Sequence, residues 1–127
     1  MPHLILEYTA NVEQPIQFEM LFADLHQILV EEGGIRLDNL KSRANRLDAY
    51  YIAGGAADQA MVHLDLRLLA GRPPAWKQQI GQQVLHCLKD YYGPSLASLR
   101  LQITVEIHDI DPDAYFKIPE GTLTLVK

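Results

Sequence analysis

The sequence predicts an α+β fold of two layers: two pseudo-repeated βαβ units forming one four-stranded sheet, with two helices on one face. Three observations predict it. Residues 61–68 and 99–108 alternate apolar with polar side chains, the period of a strand that buries one face. Two other stretches place apolar residues three and four apart, the stripe of an amphipathic helix. The order strand, helix, strand then occurs twice, the second unit starting near residue 60. Residues 1–127 are accordingly expected to form a single domain, with unit 1 over about 1–58 and unit 2 over about 59–127.

Each element has its own reason. Residues 2–8 are rich in Leu and Ile and predict the first strand. Asn11 to Pro15 is a polar break. Phe18, Leu21, Phe22, Leu25, Ile28 and Leu29 predict a helix over 16–32, and Gly33-Gly34 stops it. Residues 39–53 read as extended, and Gly54-Gly55 opens a loop that runs to Asp58. The alternation over 61–68 is the third strand. Pro73 and Pro74 suit a helix's first turn, where a missing N–H costs little. Trp76, Ile80, Val84, Cys87, Leu88 and Tyr91 mark that helix's inner face, and Gly93-Pro94 ends it. Residues 99–108 form the last long strand. Asp109 to Pro112 turns the chain, and 122–126 reads as a short edge strand. The sheet face away from the helices is expected to stay open and partly apolar, and such a face calls for a partner, here self-association.

Composition narrows the function. A chain of 127 residues, 48% hydrophobic and 21% charged, can bury a real core. Net charge is -5 with no basic run, which argues against nucleic acid and against anionic membranes. No apolar stretch approaches the roughly 20 residues that span a bilayer. No signal peptide is visible, so a cytoplasmic location is expected. Cys87 is the single cysteine, and its place on the helix's apolar side reads as a buried structural thiol. The histidines are scattered one to an element, without the spacing of a helical zinc site, so no metal is expected. His3 and His63 each stand early in the strand that opens a unit, which leaves their proximity open. Glycine-rich phosphate loops and the Gly-x-Ser-x-Gly elbow are absent, and no cofactor is implied.

The chemistry that remains is proton transfer. Pro2 follows Met1, and methionine removal before a small residue would leave Pro2 with a free secondary amine. Lys41, Arg43 and Arg46 cluster in the first half, and Arg72 falls between a strand and a helix start. A helix N-terminus favours anions, and an arginine beside it adds a two-toothed carboxylate donor. Arg72 equally suits a structural role, capping a loop or pairing with an acid. A site that joins the amine to such cations would hold a small dianion. The cations would also lower the amine's pKa from the ordinary 7.7–8.0, leaving it neutral and able to shuttle a proton.

The opening Met-Pro-His-Leu-Ile-Leu-Glu-Tyr-Thr-Ala-Asn, the segment Leu40-Lys41-Ser42-Arg43-Ala44, Val62-His63-Leu64 and Ala70-Gly71-Arg72 together resemble the 5-carboxymethyl-2-hydroxymuconate Δ-isomerases, a branch of the tautomerase superfamily. The resemblance implies a homotrimer with sites near subunit boundaries. It implies conversion of 5-carboxymethyl-2-hydroxymuconate, a small carboxylated dienol, to its 2-oxo-3-ene isomer, in breakdown of homoprotocatechuate. Pro2 would be the general base and Arg72 would bind a substrate carboxylate or polarise the 2-oxo end. Lys41 stands where some relatives have arginine, and loses the bidentate fork. Arg43, two residues along, would share its work. His3 would line the site or tie the sheet, and Glu7 would be structural. Superfamily relatives also decarboxylate or dehalogenate small acids, and a non-catalytic assembly module with an inert Pro2 is the reading from another class.

Overall fold

A computed structural model describes residues 2–119. In chain order it contains β1 (His3–Thr9), α1 (Phe18–Glu31), β2 (Lys41–Leu47), β3 (Gln59–Leu69), α2 (Pro74–Tyr91), α3 (Gly93–Ser98) and β4 (Arg100–Ile110). Single 3-10 turns occupy Leu37–Asn39 and Pro112–Ala114. The sheet order is β2-β1-β3-β4. β1 pairs parallel with β2 and β3 parallel with β4, while β1 and β3 run antiparallel at the centre. Each parallel pair is joined across a helix, which makes the two βαβ crossovers that the element order predicts.

The helices share one face of this sheet. Leu21, Leu25 and Leu29 of α1 and Ile80, Val84 and Leu88 of α2 are fully buried. They pack in one cluster with Leu4 and Leu6 of β1 and Val62, Leu64 and Leu66 of β3. The two central strands place their even-numbered side chains toward the helices and so supply most of the sheet's part of the core.

Polar ties lock the ends. Thr9 is buried, and its Oγ1 accepts from the Met61 N–H at 3.1 Å. Gln14, in the loop before α1, donates to the Tyr91 carbonyl at 2.7 Å and accepts from the Ser95 hydroxyl at 2.6 Å. Arg100 meets Asp58 through two hydrogen bonds of 2.9 and 2.6 Å, joining the starts of β3 and β4.

Three expectations change. The extended stretch after residue 39 is a strand only over Lys41–Leu47. Gly93-Pro94 does end α2, but Pro94 also sits in the first turn of α3, one further turn and a half of helix. β4 continues through Ile110, and the turn comes at Asp111, whose carboxylate accepts from the Asp113 N–H at 3.0 Å. The open sheet face is partly apolar, as expected, though polar side chains dominate it. His3, Lys41, Arg43, Asp65, Arg67 and Glu106 are among the polar residues that share it by register, and Ile5, Leu47, Met61, Leu69 and Ile110 are apolar ones. The strand expected over 122–126 lies outside the described residues. Among those described, no helix is long and apolar enough to cross a membrane.

Candidate active site

Three segments meet where β1 begins. β2 runs parallel to β1, so its first residue Lys41 stands opposite His3, and the Lys41 N–H donates to the Pro2 carbonyl at 3.2 Å. β3 runs antiparallel, so its end lies here too, with Arg67 opposite His3. The turn leaving β3 carries Arg72 into α2. Gly71 makes that turn with φ 117°, a backbone conformation that a side chain would strain.

Strand alternation then splits the candidates between two sides. Pro2 shares the parity of Leu4 and Leu6 and is buried. Arg72 is on this helix side as well. Its Nη1 donates to the Gly33 carbonyl at 3.2 Å, and its guanidinium lies 4.6 Å over the Trp76 ring. Trp76 Nε1 donates to the same carbonyl at 3.2 Å. Partial burial lowers the Arg72 pKa from the ordinary arginine value, without removing its charge. α2 starts beside it, and its first turn carries no acidic residue. The early N–H groups of that helix have no intrahelical acceptor and carry its positive pole.

His3, Lys41, Arg43 and Arg67 lie on the open side. Arg43 Nη1 approaches His3 Nδ1 at 3.2 Å. A guanidinium only donates, so Nδ1 must accept, which leaves the proton on Nε2, 2.9 Å from the Tyr115 hydroxyl. Burial, then the charge of Arg43, holds the His3 pKa below its ordinary value, with Lys41 and Arg67 acting the same way. His3 thus ties sheet to C-terminal segment while facing three cations. His63 is opposite Glu7, four residues along the ladder from His3's partner, about 13 Å at the usual strand rise. The two histidines do not meet. Arg46, grouped with Lys41 and Arg43 by sequence, pairs with Asp48 at 3.2 Å near the far end of β2.

Arg67, Tyr115, Trp76 and Gly33 are the participants that sequence reasoning missed. Arg67 lay within a recognised alternation, but only the antiparallel register brings it to His3. Tyr115 is 112 residues from its partner. A cleft of about 510 Å³ sits at the opposite end of β1, between Tyr8, Phe18, Arg46 and Tyr92; of the predicted cations it takes in Arg46, but not Lys41, Arg43 or Arg72. The Cys87 thiol is pushed up to about 11, first by burial and then by Asp24 and Asp90. Such a thiol is a poor nucleophile, in line with a structural role.

Comparison with known proteins places the chain in a family and agrees with its fold. The family model for 5-carboxymethyl-2-hydroxymuconate isomerase matches residues 2–120. The chain is 31% identical over 117 residues to the 5-carboxymethyl-2-hydroxymuconate Delta-isomerase of Escherichia coli, covering 92% of this chain and 93% of that one. It superposes on a crystal structure of a 5-carboxymethyl-2-hydroxymuconate isomerase from Deinococcus radiodurans with a TM-score of 0.84, at 30% identity, covering 91% and 87% of the two chains. A fused 4-OT symmetric trimer shares the fold at a TM-score of 0.74 and 17% identity, covering 94% of each chain.

Proposed function

The chain belongs to the 5-carboxymethyl-2-hydroxymuconate isomerase family of the tautomerase superfamily, and from that premise we propose that it converts 5-carboxymethyl-2-hydroxymuconate to the 2-oxo-3-ene isomer through Pro2. The observation that carries this reading is the convergence of Pro2, the start of β2 and the Arg72 turn at one end of the sheet. Removal of Met1 exposes the proline nitrogen as a secondary amine. Burial and neighbouring cations disfavour its protonated form, which suits the nitrogen to accept a proton.

The reaction moves one proton. The amine takes it from the 2-hydroxyl; the O–H electrons form the C2 carbonyl, the double bonds shift to C3, and C5 receives the proton back from the prolinium. No net charge changes, and no cofactor is needed. Arg72 with the N-terminal pole of α2 binds one substrate carboxylate. Lys41, at the first position of β2 beside Pro2, holds another carboxylate at the end of the sheet and keeps the substrate trianion aligned over Pro2, while Arg43, further along the open face, bonds His3. We further assign the protein to the cytoplasm, to aromatic-acid catabolism and to a homotrimer, the last in keeping with the trimeric relative of the same fold.

An ultraviolet assay on the dienol tests this, with intact mass confirming loss of Met1. Pro2→Ala is expected to lower turnover by about 10²-fold or more, the scale of a lost general base, with the fold unchanged. Full activity in that variant, or in protein that retains Met1, would refute the assignment.

A further inference from the structure

We propose that the open face of the sheet carries a binding site for a divalent transition-metal ion of the zinc type, formed by His63 and Asp65 of β3 and Glu106 of β4. The pairing of β3 with β4 makes it: His63 stands opposite Thr104 and Asp65 opposite Glu106, all on one face. One donor atom from each of His63, Asp65 and Glu106 lies within 4.8 Å of the others. His63 Nε2 is 2.9 Å from Asp65 Oδ1 and 3.6 Å from Glu106 Oε1. Ligands at 2.0–2.1 Å around tetrahedral zinc sit about 3.4 Å apart, so these separations bracket the required spacing.

Two further features favour a metal over a plain ion-pair network. His63 Nδ1 is 2.6 Å from the Thr104 hydroxyl. That contact fixes the ring with Nε2 toward the carboxylates, as outer-shell partners of metal-bound histidines do. His108 closes the other side, its Nε2 3.2 Å from Asp65 Oδ1 and 3.3 Å from Glu106 Oε2, so a small side-chain adjustment offers a fourth ligand. A pair of imidazoles and a pair of carboxylates suits zinc and its neighbours rather than magnesium, which prefers oxygen and water. Glu106 is 58% exposed, which leaves an entry path from solvent. On binding, the neutral His63 imidazole changes from its Nε2–H to its Nδ1–H tautomer, one proton leaving Nε2 to solvent and one being taken up from solvent at Nδ1, so that no net proton is released and Thr104 changes from donor to acceptor. The cluster is on a different part of the sheet from Pro2, and nothing in the isomerisation requires it.

The test is calorimetric titration of the untagged, chelator-treated full chain with Zn²⁺, backed by Co²⁺ spectroscopy. One ion per chain is expected at micromolar Zn²⁺, with no competition from excess Mg²⁺. His63→Gln and Asp65→Asn should each weaken binding by about tenfold or more, and Thr104→Val by about 10–100-fold as a positioning residue. Cys87→Ser should leave it unchanged. Co²⁺ should give d–d bands without a thiolate charge-transfer band, which reads the ligand set even where a variant fails to fold. Absence of binding, binding undiminished in folded His63→Gln, or a thiolate band would each overturn the proposal.

Discussion

Arg72 joins packing and charge in one side chain. Its contacts to the Gly33 carbonyl and the Trp76 ring hold the guanidinium at the start of α2. Both structural and substrate-binding roles call for the same position, so stability alone does not separate them. Substrate charge does. Arg72→Ala is expected to reduce turnover of carboxylated dienols far more than of uncharged enols, and equal losses would make the residue structural. His3 offers a pH test. Its pKa is lowered in the fold, first by burial and then by Arg43, from an ordinary 6.5. Between the folded value and about 6.5 the unfolded chain binds the proton and the folded chain does not. This contribution is complete above about pH 6.5 and disappears as pH falls toward the folded value. Urea midpoints between pH 7.5 and 5 should decline less steeply in His3→Gln than in the parent; an unchanged slope would show that His3 is not linked to folding. His26, also lowered by burial, supplies part of the slope that remains.

At the scale of elements, legibility follows the contrast between faces. β3 and β4 alternate strongly, and α1 and α2 carry clean apolar stripes, so all four were readable. β2 reads Lys-Ser-Arg-Ala-Asn-Arg-Leu, with little apolar signal to mark where pairing with β1 ends. α3 begins on Gly-Pro, a pair that announces a stop to α2 equally well. The predicted site was legible as residue types, while the division that puts Pro2 and Arg72 on one side and His3, Lys41 and Arg43 on the other depends on parity across three strands. Register is a long-range property that one chain's sequence leaves unstated. The α1 terminus shows a related subtlety. Gly34 takes the positive φ of 69°, but Gly33 is needed for space: a Cβ there would lie 2.6 Å from the Leu29 carbonyl oxygen and 3.1 Å from Trp76. Gly33→Ala should therefore cost about 1–3 kcal/mol of stability and displace the carbonyl that Arg72 and Trp76 share. Chemical denaturation reads the first effect, and a raised KM for the dienol reads the second.

At the scale of the whole molecule, the two βαβ halves are alike in topology and unlike in chemistry. The start of β1 offers Pro2, with the Lys41 strand and the Arg72 turn beside it. The corresponding start of β3 offers Gln59 and Ala60, whose nitrogens are ordinary amides inside the chain. The arginine that opens β4, Arg100, is held by Asp58 through a two-toothed pair, which raises the Arg100 pKa and lowers that of Asp58. An arginine so engaged has its fork occupied by a protein carboxylate instead of a substrate one. The pseudo-symmetry thus supplies a second sheet end without a base and with its leading cation committed. One working site per chain follows. A substrate-like electrophile should label a single equivalent per chain, at the Pro2 nitrogen, and Pro2→Ala should abolish activity rather than halve it. Opening the Asp58 pair with Asp58→Asn should free Arg100 without adding activity, because no basic amine stands beside it. A second labelled equivalent, or half activity surviving in Pro2→Ala, would mean that the β3 end also carries chemistry.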